Sequence, residues 1–297
     1  MTKKIFFWLL LVTLINLVSS DLFSFEYQQL IYSTTKKSFI NFDSMINDLN
    51  NYDVVYLGEQ HDDLTHHQSQ KNIMEAVSAN VGPVAVGLEF IKWTEQELLN
   101  NYVHGQISQT EFLKMIDWGD NNFSFDFYAP LISVAHQSGG HVFGINAPQW
   151  LTKKIANLGI NSLTSYEFTF MPMHFQLGSE LYFKMFKAAM EEMNHPIPPA
   201  FLNNLFEVQS VWDETMSFYA VLNLKHSFTP FFIIVGNFHI AYKLGSPASI
   251  RSRLLPSQTL ATVYHVNAKG MTEVMIQSMI KKHAIYGDLA DYIVFIY

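Results

Sequence analysis

Short apolar runs rich in β-branched residues recur along this chain, each followed by helix-start signals, and that alternation most limits what it can fold into. Asp53-Val-Val-Tyr-Leu57, Val84-Ala-Val-Gly-Leu88, His141-Val-Phe-Gly-Ile145, Phe231-Phe-Ile-Ile-Val235 and Leu260 to Val266 read as buried strands, with Tyr292 to Tyr297 as a last one. Helices are expected over 41–49, from a Thr65-His-His-Gln68 capping box to about residue 80, over 127–138 and from Pro148 onward. Capping boxes at Thr94-Glu-Gln-Glu97 and Ser108-Gln-Thr-Glu111 predict two more. The expected fold is therefore α/β, with a mainly parallel central sheet flanked by helices. Residues 160–225 lack a strand pattern, carry methionines at helical spacing and break at Pro196-Ile-Pro-Pro199. They predict an inserted helical cap subdomain over about 150–225.

The 297 residues are 49% hydrophobic and 15% charged, enough for a sizeable core and against a disordered chain. No repeat or linker divides residues 21–297, so one domain is expected there. The net charge of −8 argues against a nucleic-acid partner, whose phosphates demand basic surface. The absence of cysteine excludes disulfides, thiolate zinc sites, iron–sulfur clusters and a Cys nucleophile. It also excludes a lipidated N-terminal cysteine, so a lipoprotein is not expected. Lys3 and Lys4 precede an apolar run, Ile5 to Val18, too short to span a bilayer core of ~30 Å. Val18-Ser-Ser20 then suits signal-peptidase cleavage before Asp21. Residues 1–20 thus read as a signal peptide, making the protein periplasmic or secreted. The alternative is an uncleaved anchor.

The chemistry-bearing residues fall at strand ends. Gly58-Glu59-Gln60-His61, Gly87-Leu88-Glu89, Asn146-Ala147-Pro148 and Gly236-Asn237-Phe238-His239 each follow a strand, where open parallel sheets bind ligands. If the strands are neighbours, His61, Glu89 and His239 could form the donor set of a divalent metal, with Glu59 beside it as general base. A structural polar network is the competing reading. His67, in the first turn of its helix, is kept neutral by the macrodipole and so suited to metal or haem iron, whereas its neighbour His66 reads as exposed. Gln209 and Asp213 share a helix face, from which Asp213 could orient a ligating histidine. Arg251 and Arg253 are the only arginines and close together, suggesting an anion contact or a structural ion pair.

These motifs also carry a resemblance. Gly58-Glu-Gln-His61 with His67, Gly87-Leu-Glu89, Asn146-Ala-Pro148, Glu207-Val-Gln209, Trp212-Asp-Glu-Thr-Met216, Gly236-Asn-Phe-His239 and Gly245-Ser-Pro247 with Arg251 resemble, in order and spacing, the ChaN family. This family belongs to the Tiki and erythromycin-esterase-like superfamily. The resemblance spans about residues 45–265. It implies haem binding, a role in haem or iron acquisition at the bacterial envelope, and a homodimer with haem near the subunit interface. Without cysteine, iron could be held only by His, Tyr or Met. Tyr166, His174, Tyr182 and Tyr219 are the candidate haem contacts beside His67, while Asn146, Gln209, Asp213, Asn237 and Arg251 are candidate supporting or anion contacts. In the Tiki-like branch the two Gly-x-x-His motifs and a glutamate serve a metal-dependent peptidase, which leaves a metal-dependent hydrolase using His61, His239 and Glu89 or Glu59 as the alternative. Phe238 departs from the family pattern, where a small residue is common.

Overall fold

The computed structural model describes residues 28–120, 123–192 and 198–297. The signal peptide expected over 1–20 lies outside the described residues.

Eight strands form one sheet: β1 Gln29–Ser33, β2 Ser38–Ile40, β3 Val54–Glu59, β4 Ala85–Lys92, β5 His141–Asn146, β6 Phe231–Gly236, β7 Leu260–Asn267 and β8 Tyr292–Ile296. Their order across the sheet is β2-β1-β8-β7-β3-β6-β4-β5. From β8 to β5 all neighbours run parallel, whereas β1 pairs antiparallel with β8 and with β2. The mainly parallel α/β sheet read from the sequence is the observed one. The β1–β2 pair escaped that reading, because an edge ribbon with Leu30 and Phe39 exposed lacks the dense apolar run of a buried strand.

In chain order the helices are α1 Phe42–Leu49, α2 Leu64–Val81, α3 Gln96–Val103, α4 Gln109–Met115 and α5 Ala129–Gln137. After β5 come α6 Gln149–Leu158, α7 Ser165–Phe168, α8 Glu180–Glu192 and α9 Pro199–Leu224. Then come α10 Asn237–Ile240, α11 Ser246–Arg251 and α12 Glu273–Ile280. The central strands are buried on both faces, and their side chains alternate between two cores. Val55, Leu57, Val86, Leu88, Phe232 and Ile234 pack against Met45 of α1, Ile73 and Met74 of α2 and Leu131 of α5. On the other face, Val54, Tyr56, Phe231, Ile233 and Val235 meet Met216, Ala220 and Leu224 of α9 and Ile250 of α11. Each such buried aliphatic contributes roughly 1.5–3 kcal/mol by leaving water.

Two helix starts differ from expectation. Asp63, not Thr65, caps α2: its Oδ1 accepts from the Thr65 N–H at 2.8 Å. Gln68 donates along the helix to Asn72 instead of closing a capping box. After β4 the chain makes a 3-10 turn over Trp93–Glu95 before α3 begins at Gln96. The Ser108 box is present, Glu111 accepting from the Ser108 N–H at 2.8 Å and Ser108 Oγ from the Glu111 N–H at 3.2 Å.

Candidate functional site

The carboxyl ends of β3, β6, β4 and β5 are consecutive along one edge of the sheet. In the β3–β6 ladder Glu59 stands opposite Gly236. The β4–β5 ladder slips between Leu88 and Lys92, pairing them with Gly144 and Asn146. This bulge releases Glu89 and Phe90 from regular pairing at the sheet edge. Gly236 allows the close approach that follows, since a Cβ there would lie 2.7 Å from His61 Cε1.

Two hydrogen-bonded groups meet at this edge. In the first, the Glu59 carboxylate is 2% exposed and accepts on both oxygens. Oε1 receives the Tyr128 hydroxyl at 2.6 Å and faces His61 Nδ1 at 3.1 Å. Oε2 receives the Gln70 amide at 3.0 Å and faces His67 Nδ1 at 3.2 Å. In the second, His239 lies between two carboxylates. Its Nε2 is 3.2 Å from Glu89 Oε1, and its Nδ1 is 2.8 Å from Asp213 Oδ1. Glu89 Oε2 also accepts from the Gly236 N–H at 2.6 Å. Tyr182 donates its hydroxyl to Asp213 Oδ2 at 2.8 Å, and the Gln209 amide donates to Tyr182 at 3.0 Å.

The charges follow from these partners. Burial opposes the His239 cation, but the charges of Glu89 and Asp213 outweigh it and lift its pKa to about 10. Burial would raise Glu89, yet the adjoining His239 cation, then its hydrogen bond, hold the carboxyl below its usual range. At His61 burial again opposes the cation, but the hydrogen bond to Glu59 and the charge of Glu89 leave the pKa raised. His61, Glu89 and His239 line a cleft of about 710 Å³ whose apolar walls include Phe90, Phe186, Met190, Trp212, Phe238 and Tyr264.

The structure brings Glu59, His61, Glu89, Gln209, Asp213 and His239 together. Among the described residues no group of three or more His, Asp or Glu side chains is arranged to hold a metal ion. Here His61 is hydrogen-bonded to Glu59, and His239 to Glu89 and Asp213, the arrangement of the polar network that was the competing reading. Asn146 and Asn237 also line the cleft. Asn146 Oδ1 accepts from the Ala147 N–H at 2.7 Å, and the Asn237 amide donates to the His265 carbonyl at 2.8 Å.

Other candidates are placed elsewhere. His67 is buried, with both ring nitrogens against oxygen acceptors and its ring stacked on Phe127, so it does not face a ligand. Tyr182 is likewise buried, with its hydroxyl donated to Asp213. Arg251 donates to the carbonyls of Leu255 and Gln258 and braces its own loop. Arg253 pairs with Glu214. His66 is buried, not exposed, because its Nδ1 accepts from the Gln60 N–H at 2.9 Å and packing draws it under the turn. Tyr166 is 72% exposed, Tyr219 is half-buried and His174 is exposed with a left-handed φ of 58°. Tyr128 and Gln70 were not anticipated. The i, i+3 spacing of His67, Gln70 and Ile73 signalled Gln70, whereas nothing local marked Tyr128.

Tyr166 and Tyr219 belong to an aromatic surface outside the cleft. Tyr219 stacks on Trp93 at 4.8 Å, Trp93 lies 6.0 Å from Phe170, and Trp150 and Tyr166 meet Phe170 at 5.0 and 5.5 Å.

The family described as "Haem-binding uptake, Tiki superfamily, ChaN" matches residues 45–250. The chain belongs to the ChaN family. Among solved structures it is similar to Campylobacter jejuni ChaN with cofacial haem, at 22% identity and a TM-score of 0.68, covering 91% of this chain and 97% of that one. The type III effector HopBA1 is similar at 13% identity and a TM-score of 0.48, covering 85% of this chain and 91% of that one. A mutant of the erythromycin esterase EreC, in its open conformation, gives 11% identity and a TM-score of 0.45, covering 80% of this chain and 78% of that one. No curated protein matched the sequence. Haem binding is thus the function this ChaN-family chain inherits at the level of the family.

Proposed function

We propose that this protein is exported and binds haem on its aromatic surface, as a homodimer acting in haem or iron acquisition at the bacterial envelope. The carrying observation is that surface: Trp150 and Tyr166 are 45% and 72% exposed beside the Trp93–Tyr219 stack. Monomers rarely leave such rings contiguous and open without a ligand or a second subunit. The residues fit haem. Flat rings suit a porphyrin plane, and the exposed Tyr166 phenol is the oxygen donor a cysteine-free chain can offer. Haem, when bound, would supply the iron that such a carrier delivers, and Tyr166, Trp150, Trp93, Phe170 and Tyr219 are the residues that would hold it. Titration with haem should give a saturable Soret band at micromolar protein, which acid-acetone extracts. Tyr166→Phe should shift that band, and light scattering should report a dimer. A linear, unsaturable rise in absorbance ends the proposal.

A second reading is favoured by the cleft, where a half-exposed His61 faces a Glu89–His239–Asp213 chain. It is hydrolysis of an ester or peptide bond. Glu59, whose oxygens are occupied, orients His61, and His61 takes the proton from the attacking water as general base. His61 then returns that proton to the leaving group, while the His239 cation, held between Glu89 and Asp213, fixes Glu89 beside it. Incubation with ester and peptide libraries tests this. Turnover that survives chelation and vanishes in His61→Ala supports it, and turnover equal to the uncatalysed rate removes it.

A further inference from the structure

We propose that the outer face of α12 and the turn after it dock on a lipid bilayer with anionic headgroups. The observation is a short helix apolar on both sides. Its inner line is Ile276, buried, with Met279 and Ile280 half-buried against the protein. Its outer side carries Val274 at 78% and Met275 at 48% exposure, with nothing on them. Gln277 and Ser278 are exposed on the same side, so the outer face sets two open apolar side chains among short polar ones, as an interfacial helix does. The turn that follows adds Ile285, 66% exposed, at the tip closed by the His283–Gly287 bridge.

The charges select the partner. The whole chain carries −8, yet no acid occurs between Glu273 and Asp288, and Lys281, Lys282 and His283 stand there exposed. Lys282 approaches Asp288 only at 3.8 Å. Tyr286, stacked on His283 at 4.5 Å, is half-buried just inside the tip. Apolar side chains at the tip, an amphipathic aromatic behind them and long basic side chains around them are what the headgroup boundary accommodates. An acidic protein surface would match the lysines but not Val274 and Ile285. No helix among the described residues is long and apolar enough to cross a membrane, so the contact is a peripheral one. The inference does not depend on haem binding.

The chain has no cysteine, so Ile285→Cys takes a single environment-sensitive fluorophore. Its emission should shift to the blue with vesicles of phosphatidylglycerol and phosphatidylcholine in equal parts, less with phosphatidylcholine alone, and less in high salt. In parallel, Val274→Asp with Ile285→Asp should lower sedimentation of the full chain with the mixed vesicles about tenfold, leaving the melting temperature unchanged. Lys281→Glu with Lys282→Glu should lower the vesicle affinity more steeply, by roughly a thousandfold, since two attractions to the anionic headgroups become two repulsions. An unshifted fluorophore overturns the proposal. So does unchanged sedimentation of the aspartate variant, which would put any vesicle binding elsewhere in the chain. A shift in oligomeric state of that variant without vesicles would assign the patch to a second copy instead.

Discussion

Asp213 Oδ1 lies 2.8 Å from Nδ1 of His239, joining the middle of α9 to the turn after β6. The contact fixes the imidazole so that its other nitrogen meets Glu89. Asp213→Asn keeps the shape and removes the charge, so the His239 pKa should fall by at least about one unit. Histidine NMR titration reads this directly. A titration midpoint that stays near that of wild type would mean Glu89 alone holds the cation.

Stability should depend on pH in a way that identifies this histidine. Its pKa is raised in the folded state, from 6.5 to about 10. The stability it contributes is therefore complete below about pH 6.5 and is lost as pH rises through about 10. The loss should be of order a few kcal/mol. Glu89, lowered in the folded state, has the opposite sign: its contribution is complete above pH 4.5 and is lost as pH falls through its folded value. Urea unfolding of wild type and His239→Gln should diverge in acid-to-neutral buffers and converge above about pH 10.

These residues also show what the sequence exposed and what it hid. Glu59, Glu89 and His239 were legible because each directly follows an apolar strand, and a parallel sheet brings strand ends to one edge. Their partners were not. Tyr128 reaches Glu59 across 69 positions, a distance no local pattern encodes. The second strand was read as ending at Leu88, whereas β4 runs on to Lys92, since a bulge has no hydrophobic period. Thr65 looked like a cap because Ser, Thr and Asp compete for that role, and Asp63 won by accepting from Thr65 itself.

Tyr128→Phe tests the buried Glu59 network. The phenol donates to Glu59 Oε1 at 2.6 Å, and removing that donor should destabilise the fold by about 1–3 kcal/mol. Tyr166→Phe, on the open surface, should change stability by less than about 0.5 kcal/mol. Equal midpoints in urea for both variants would show that Glu59 finds water or another donor.

Gly236→Ala should act on the cleft more than on the core. The new methyl group would stand 2.7 Å from His61 Cε1 and 3.7 Å from Glu89 Oε2. The His61 ring is half-exposed and can swing away, so the stability loss should stay near 1 kcal/mol. The His61 titration should then return toward an ordinary histidine as its contacts with Glu59 and Glu89 loosen. A crystal structure showing His61 in place would contradict this.

Strand β8, near the end of the chain, sits between β1 and β7, and the Tyr297 N–H closes on the Gln28 carbonyl at 3.0 Å. A chain that emerges with its amino end first, from the ribosome or through a translocon, therefore holds β1 and β2 as an unattached ribbon until residues 292–296 arrive. During that interval both the exposed edge of β7 and the apolar side of β1 are open to other chains. Until β8 pairs with both, that gap is the part of the sheet most open to aggregation.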